Sequence, residues 1–146
     1  MEDLLSDVYI EPKLATIGAR LGAAVIDFVI LVILFIGFGK LWGEHYTTDT
    51  SSGIRLTGLP ALAFFLVCFA LLPLQEGLSG KTIGKRIMGI QVRRKDFNDA
   101  GVGLSIARHL FDLIDCFFLA GIIVAASNPY RQRIGDLVAG TVVIQG

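Results

Sequence analysis

Three runs of apolar residues, separated by polar stretches, set the plan of this chain. The first, Leu21 to Gly39, contains a single ionisable residue, Asp27. As a helix it would extend roughly 28 Å, close to the hydrocarbon thickness of a bilayer, and the pattern predicts a transmembrane segment. The second, Leu59 to Leu74, is shorter but can be extended upstream through Leu56, Thr57 and Gly58. Pro60 suits a first helical turn, and Pro73 marks a bend near the far end. The third, Leu110 to Ala126, carries Asp112 and Asp115 in its first half and is cleanly apolar only in its second. It is expected to cross, to enter the membrane at an angle, or to fold back as a re-entrant hairpin near Gly121. The expectation favours three crossings. The predicted class is an all-α membrane protein with about three transmembrane helices and a small cytoplasmic or interfacial element.

The polar stretches are patterned too. Residues 40–58 are rich in Ser, Thr and Gly, and Trp42 and Tyr46 are placed as interfacial anchors. Thr82 to Met88 can form a short amphipathic helix on the membrane surface. Gly89 to Arg93 alternates apolar and polar with the strand period, and Thr141 to Ile144 reads as a second strand. Asp96 to Gly103 is expected to be a turn or loop. Asn128 followed by Pro129 has the form of a helix start, with Asn128 as the cap. If the two strands pair, both lie on one side of the membrane, which conflicts with three crossings.

Composition agrees with a membrane chain. The 146 residues are 53% hydrophobic, with a mean hydropathy of +0.67. Thirteen basic and thirteen acidic residues balance, so charge position matters more than net charge. The loop after the second run holds Lys81, Lys85, Arg86, Arg93, Arg94 and Lys95, against Lys40 and Arg55 in the loop before it. The asymmetry predicts that residues 75–104 and the N-terminus are cytoplasmic. The acidic first thirteen residues are read as a cytoplasmic tail, ahead of a membrane domain over residues 14–146. Cys68 and Cys116 lie in apolar runs and form no metal pattern with His45 or His109, so no metal site of standard type and no cofactor is expected.

Residues 76–86, EGLSGKTIGKR, resemble a phosphate-binding loop through Gly80-Lys81-Thr82. A Walker A loop would need glycine at position 75, where Gln75 stands, and would follow a strand. Here an apolar helix precedes it, which excludes nucleotide binding. Lys81, Lys85 and Arg86 are instead expected to meet anionic lipid head groups.

Charges within membrane segments cost about 2.5–3.5 kcal/mol each at mid-bilayer, so they are expected to face partners or water. Arg20 and Asp27 are seven residues apart and share one helix face, about 10 Å apart along the axis. Arg108, Asp112 and Asp115 follow the i, i+4, i+7 spacing, so Arg108 can pair with Asp112. Arg133 and Asp136 can share a face. Gly18 and Gly22 form a GxxxG pattern suited to close helix packing or dimerisation. This charge set suits either an ion path or a salt-bridge network that locks the helices together.

Arg20 opening the first membrane helix, Asp27 within it, the segment GKTIGKRIMGIQV and the tail RQRIGDLVAGTVVIQG together resemble the RDD family of small membrane proteins. The likeness runs from about Leu14 to Ile144. The family is named for one arginine and two aspartates, which fall on Arg20, Asp27 and Asp136. The resemblance implies an integral protein of the bacterial cytoplasmic membrane. It also implies a transporter that exchanges Na⁺, K⁺ or Li⁺ for protons. In that reading Asp27 is the exchangeable carboxylate, tuned by Arg20, and Asp136, paired with Arg133 or Arg20, gates the cytoplasmic end. The alternative is a non-transporting assembly or partner-binding module held by a buried Arg/Asp network. Membrane lipids and further copies of the chain are the expected partners. Nucleic acid is not expected, and no set of residues suggests an enzyme.

Overall fold

A computed structural model describes residues 13–117 and 120–146. Helix α1, Ile17–Trp42, has 26 residues. It starts at Thr16, whose hydroxyl accepts from the Ala19 amide at 3.1 Å, and stops at Gly43 with Lys40 in its last turn. A hairpin of β1, Glu44–Thr47, and β2, Ser52–Arg55, follows. This pair was not anticipated, because the Ser/Thr/Gly-rich loop lacks a strand period. Trp42 just before it and Tyr46 within β1 are both exposed.

Helix α2, Gly58–Phe69, passes through a π-helical turn, Ala70–Leu74, into α3, Gln75–Ser79. Pro73 lies inside that turn. Proline has no amide hydrogen and crowds the preceding carbonyl, and the wider π turn relieves both problems. Phe64 of α2 packs edge-on against Phe35 and Phe38 of α1, with ring centres 5.6 Å apart in each case. α1 and the continuous segment Gly58–Ser79 are long and apolar enough to cross a membrane, and only 6% of each apolar window is buried inside the fold. Phe28, Ile33, Leu59, Phe65 and Leu66 are all exposed. A soluble core helix would hide such side chains, so these surfaces suit lipid.

The remaining elements form a cap. They are α4, Ile83–Ile87; β3, Ile90–Arg94; α5, Gly101–Phe117; α6, Ala120–Ser127; α7, Ile134–Ala139; and β4, Thr141–Gln145. β3 and β4 pair antiparallel, with Val92 opposite Val143. Residues 13–15 run along the other edge of β4: Gln145 donates to Lys13 and Ala15 donates to Val143. The small core under this sheet joins Ala15, Ala23, Ile90, Val92, Ala100 and Val143, with Ala19 and Met88 packed against it.

The strand pairing corrects the expectation of three crossings. β4 is bound to the segment leading into α1 and to the strand after α3, so the tail returns to the N-terminal end of α1. The described residues of the third apolar run fall in α5, of 17 residues, and α6, of eight, and α6 packs against α5, α7 and α1. The side chains of Asp112, Asp115 and Cys116 lie outside the described residues, as does most of the acidic N-terminal tail.

Three smaller expectations also change. Asn128 does not cap a helix. Its side chain accepts from the Tyr130 amide at 2.8 Å in a tight turn, and the helix begins later, capped at Arg133. The loop after Asp96 ends earlier than expected, because α5 already starts at Gly101. The GxxxG pattern does not present one open face. The Met88 side chain covers Gly22, while Gly18 has open space.

Candidate functional site

Where the cap meets the two long helices, four elements bring their charged groups to one place. α3 supplies Glu76, α5 supplies Arg108, α7 supplies Asp136 and α1 supplies Arg20. All four are buried, Glu76 completely. Close backbone approaches set their positions. A Cβ on Gly77 would collide with Val102 of α5, and one on Gly135 would stand 2.9 Å from the Arg108 carbonyl. Glycine at these two positions therefore lets α3 and α7 lie directly on α5, with Glu76 and Asp136 on opposite sides of Arg108.

The hydrogen bonds form a connected chain. Arg20 donates to Asp136 at 3.0 Å. Arg108 donates to the other Asp136 oxygen through Nε at 2.7 Å and stands 2.6 Å from it through a terminal nitrogen. Arg108 also donates to Glu76. Lys85 of α4 pairs with the second Glu76 oxygen, and the Ser105 hydroxyl donates to the first at 3.2 Å. His109 lies 4.0 Å from the same carboxylate. The Arg133 amide donates to Asp136 at 3.1 Å, and Thr141 donates to it at 3.5 Å. Gln132, also buried, donates to the Thr141 carbonyl at 2.6 Å. Charge-assisted bonds of this kind are about twice as strong as neutral ones.

Burial opposes the charge on Asp136, but Arg108 and Arg20 outweigh it and hold the carboxyl below the ordinary carboxylate range. Asp136 is therefore held as an anion at neutral pH.

Asp27 sits apart from this chain. It accepts from the Thr82 hydroxyl at 2.5 Å and from the Gly84 amide at 2.7 Å. Thr82 is the cap of α4, and its hydroxyl in turn accepts from the Lys85 amide at 3.3 Å. Asp27 thus completes the N-terminus of a neighbouring helix, a favourable place for an anion. Gly84 makes the approach possible, since a Cβ there would run into the Ala23 carbonyl. Arg20 and Asp27 do not pair, in agreement with their separation along α1.

Several expected partnerships are redistributed. Arg108 pairs with Glu76 and Asp136 from other helices, while its expected partner Asp112 has a side chain outside the described residues. Arg133 meets Asp136 through its backbone amide, not through a guanidinium–carboxylate pair. Lys85 leaves the group expected at lipid head groups, because its ammonium is engaged by buried Glu76. Arg86 stays exposed and donates to the Ser79 hydroxyl at 3.1 Å. Glu76 was missed altogether. It lies just after an apolar span, so with Gln75 it reads as the polar start of a loop. The available signal was its position beside Gly77 with Lys85 nine residues on. Ser105, Gln132 and Thr141 carried no such signal. Among the described residues, no group of His, Cys, Asp and Glu could hold a metal ion.

The sequence model of the RDD family matches residues 14–140. No curated protein and no solved structure matches the chain.

Proposed function

Because the chain belongs to the RDD family, a family of membrane proteins, we propose that it is a non-catalytic membrane-embedded assembly or partner-binding module. Its Arg/Asp/Glu network acts as a clasp holding the cap to the two apolar helices. The observation that carries this reading is the state of the three carboxylates. Glu76 and Asp136 are each bound by two cationic side chains, and Asp27 is bound by a hydroxyl and a helix-cap amide. An exchange site needs a carboxylate that can release its protein donors, meet water and accept a proton or a cation in turn.

Exchange of Na⁺, K⁺ or Li⁺ for protons is the competing reading. The position of Asp27 within an apolar helix favours it. For Asp27 to take that role, α4 would have to leave Thr82 and Gly84 unbonded in every cycle. Proton flux in proteoliposomes under Na⁺, K⁺ or Li⁺ gradients separates the two readings, with Asp27→Asn and empty liposomes beside the wild type. The module reading expects no flux above the empty liposomes from folded protein, and lower stability or assembly in Asp27→Asn. Cation-dependent flux that disappears in Asp27→Asn would overturn it.

A further inference from the structure

The clasp consumes Arg20, Lys85 and Arg108. Arg93 and Arg94 of β3 pair with Asp99 and Asp96, but several other basic residues of the cap meet no carboxylate. Among the described residues, none of Lys81, Arg86, Arg131 and Arg133 has a carboxylate within ion-pair distance. Arg86 bonds only a serine hydroxyl, and Arg131 reaches the Ala15 carbonyl at 3.4 Å. Arg133 lies close enough to Arg20 for their like charges to repel. Large apolar side chains stand exposed beside these cations. Leu78 is 74% exposed and Ile87 65%, flanking Lys81 and Arg86, and Val138 is 59% exposed near Arg133. In water such a surface would be poor on both counts, with apolar area uncovered and positive charge unbalanced.

Depth along α1 supplies the second observation. α4 is fastened to this helix through Asp27 and by the approach of Gly84 to Ala23, and Met88 just beyond it covers Gly22. The apolar run of α1 begins at Leu21. At 1.5 Å per residue, Gly22 to Asp27 lie about 2–9 Å below that boundary. This is the depth of a helix lying in the interface, whose apolar face sinks about 5–10 Å into the boundary between head groups and acyl chains. The clasp therefore holds α4 at the level where its exposed isoleucine meets acyl chains and its arginine meets phosphates.

We propose that the α3–α4 corner and the start of α7 form a binding surface for anionic phospholipid. Lys81, Arg86 and Arg133 take head-group phosphate oxygens, and Leu78, Ile87 and Val138 enter the adjoining acyl layer. Each basic side chain near an anionic surface strengthens the attraction about fivefold.

The test is native mass spectrometry of the protein released from nanodiscs of equal phosphatidylcholine and phosphatidylglycerol. Lys81→Gln, Arg86→Gln, Arg133→Gln and the Lys81/Arg86 double substitution are compared with wild type. Arg55→Gln, in the hairpin beyond the far end of α1, is the control. Wild type should retain phosphatidylglycerol in excess. Each single substitution should reduce the excess by about fivefold, the double substitution further, and Arg55→Gln not at all. Thermal unfolding in detergent without added lipid should be unchanged for the Lys81 and Arg86 variants, which lie outside the clasp. Equal retention of the two lipids by wild type would overturn the proposal, as would an equal loss in Arg55→Gln. Abolition of the excess by millimolar inorganic phosphate would also overturn it, by pointing to a free-phosphate site.

Discussion

Replacing Glu76 by glutamine should destabilise the protein more than any other single neutralisation of similar shape except Asp136→Asn. The clasp sets three cations, Arg20, Lys85 and Arg108, against two carboxylates, Glu76 and Asp136, so it already carries one excess positive charge. Glu76→Gln raises that excess to two within a site that is almost closed to water. The amide oxygen can still accept from Arg108 or Ser105, but the amide nitrogen then faces the Lys85 ammonium, donor against donor. Breaking a buried pair by removing one partner costs about 3–5 kcal/mol. For a chain of this size that is a fall in Tm of about 6–20 °C. The assay is thermal unfolding in detergent, with Glu44→Gln in the exposed hairpin as control, expected to lie within about 0.5 kcal/mol of wild type. Adding Lys85→Met to Glu76→Gln removes the stranded ammonium, so the double variant should be less damaged than the sum of the two singles. A loss below about 1 kcal/mol for Glu76→Gln, or strict additivity with Lys85→Met, would refute the clasp.

Other outcomes follow from the same geometry. Arg20→Met leaves Asp136 with Arg108 and the Arg133 amide and balances the site at two charges of each sign, so it should cost less than Asp136→Asn in the same unfolding assay. Thr82→Val removes both the α4 cap and a donor to Asp27, and should cost about 1–2 kcal/mol. Gly84→Ala must push α4 off the Ala23 carbonyl and should cost an amount of stability typical of overpacking, about 1–3 kcal/mol. Because Arg108 and Arg20 hold the Asp136 pKa low against its burial, its stabilisation is complete above the unfolded carboxylate pKa of about 3.9 and is lost as pH falls through the lower folded value. Tm should therefore be level from neutral pH to about 5 and decline below 4, with a shallower decline over that window in Asp136→Asn.

The parts of the fold legible from residue order were those governed by local periodicity. α1, the apolar length of the second span, α4 and the two paired strands follow from apolar runs and alternation. The charge network was legible only as a set of members. Arg20, Asp27, Arg108 and Asp136 could be singled out because charges near apolar helices demand partners, but spacing along one helix did not point to the partners that come from other helices. Arg108 has Asp112 one turn away, yet it bonds residues 32 and 28 positions distant. The glycines decide this, since Gly77 and Gly135 bring α3 and α7 into backbone contact with α5. The same contact explains the look of EGLSGKTIGKR. Glu76 anchors, Gly77 allows close approach, Gly80 ends α3 at a φ of 69°, Thr82 caps, Gly84 fits under α1 and Lys85 pairs. Small and basic residues recur there because a short chain segment must dock tightly at a charged site, not because it cradles a nucleotide.

The clasp also explains why the third apolar run does not cross. A full crossing would carry Asp136 to the end of α1 remote from Arg20, leaving both charges unpaired. It would also strip β4 of its partners on β3 and residues 13–15, exposing a row of unpaired backbone groups. Arg108 would lose Asp136, one of its two carboxylate partners. Each penalty is comparable to a substantial fraction of the whole stability of a domain, and they act together. An apolar contact could hold the cap to α1 and α2 as firmly, but it would not discriminate between the two ends of a membrane helix. A pair of opposite charges, one at the start of α1 and one five residues before β4, does discriminate. The arginine and aspartates are thus placed to select the topology as well as to stabilise it.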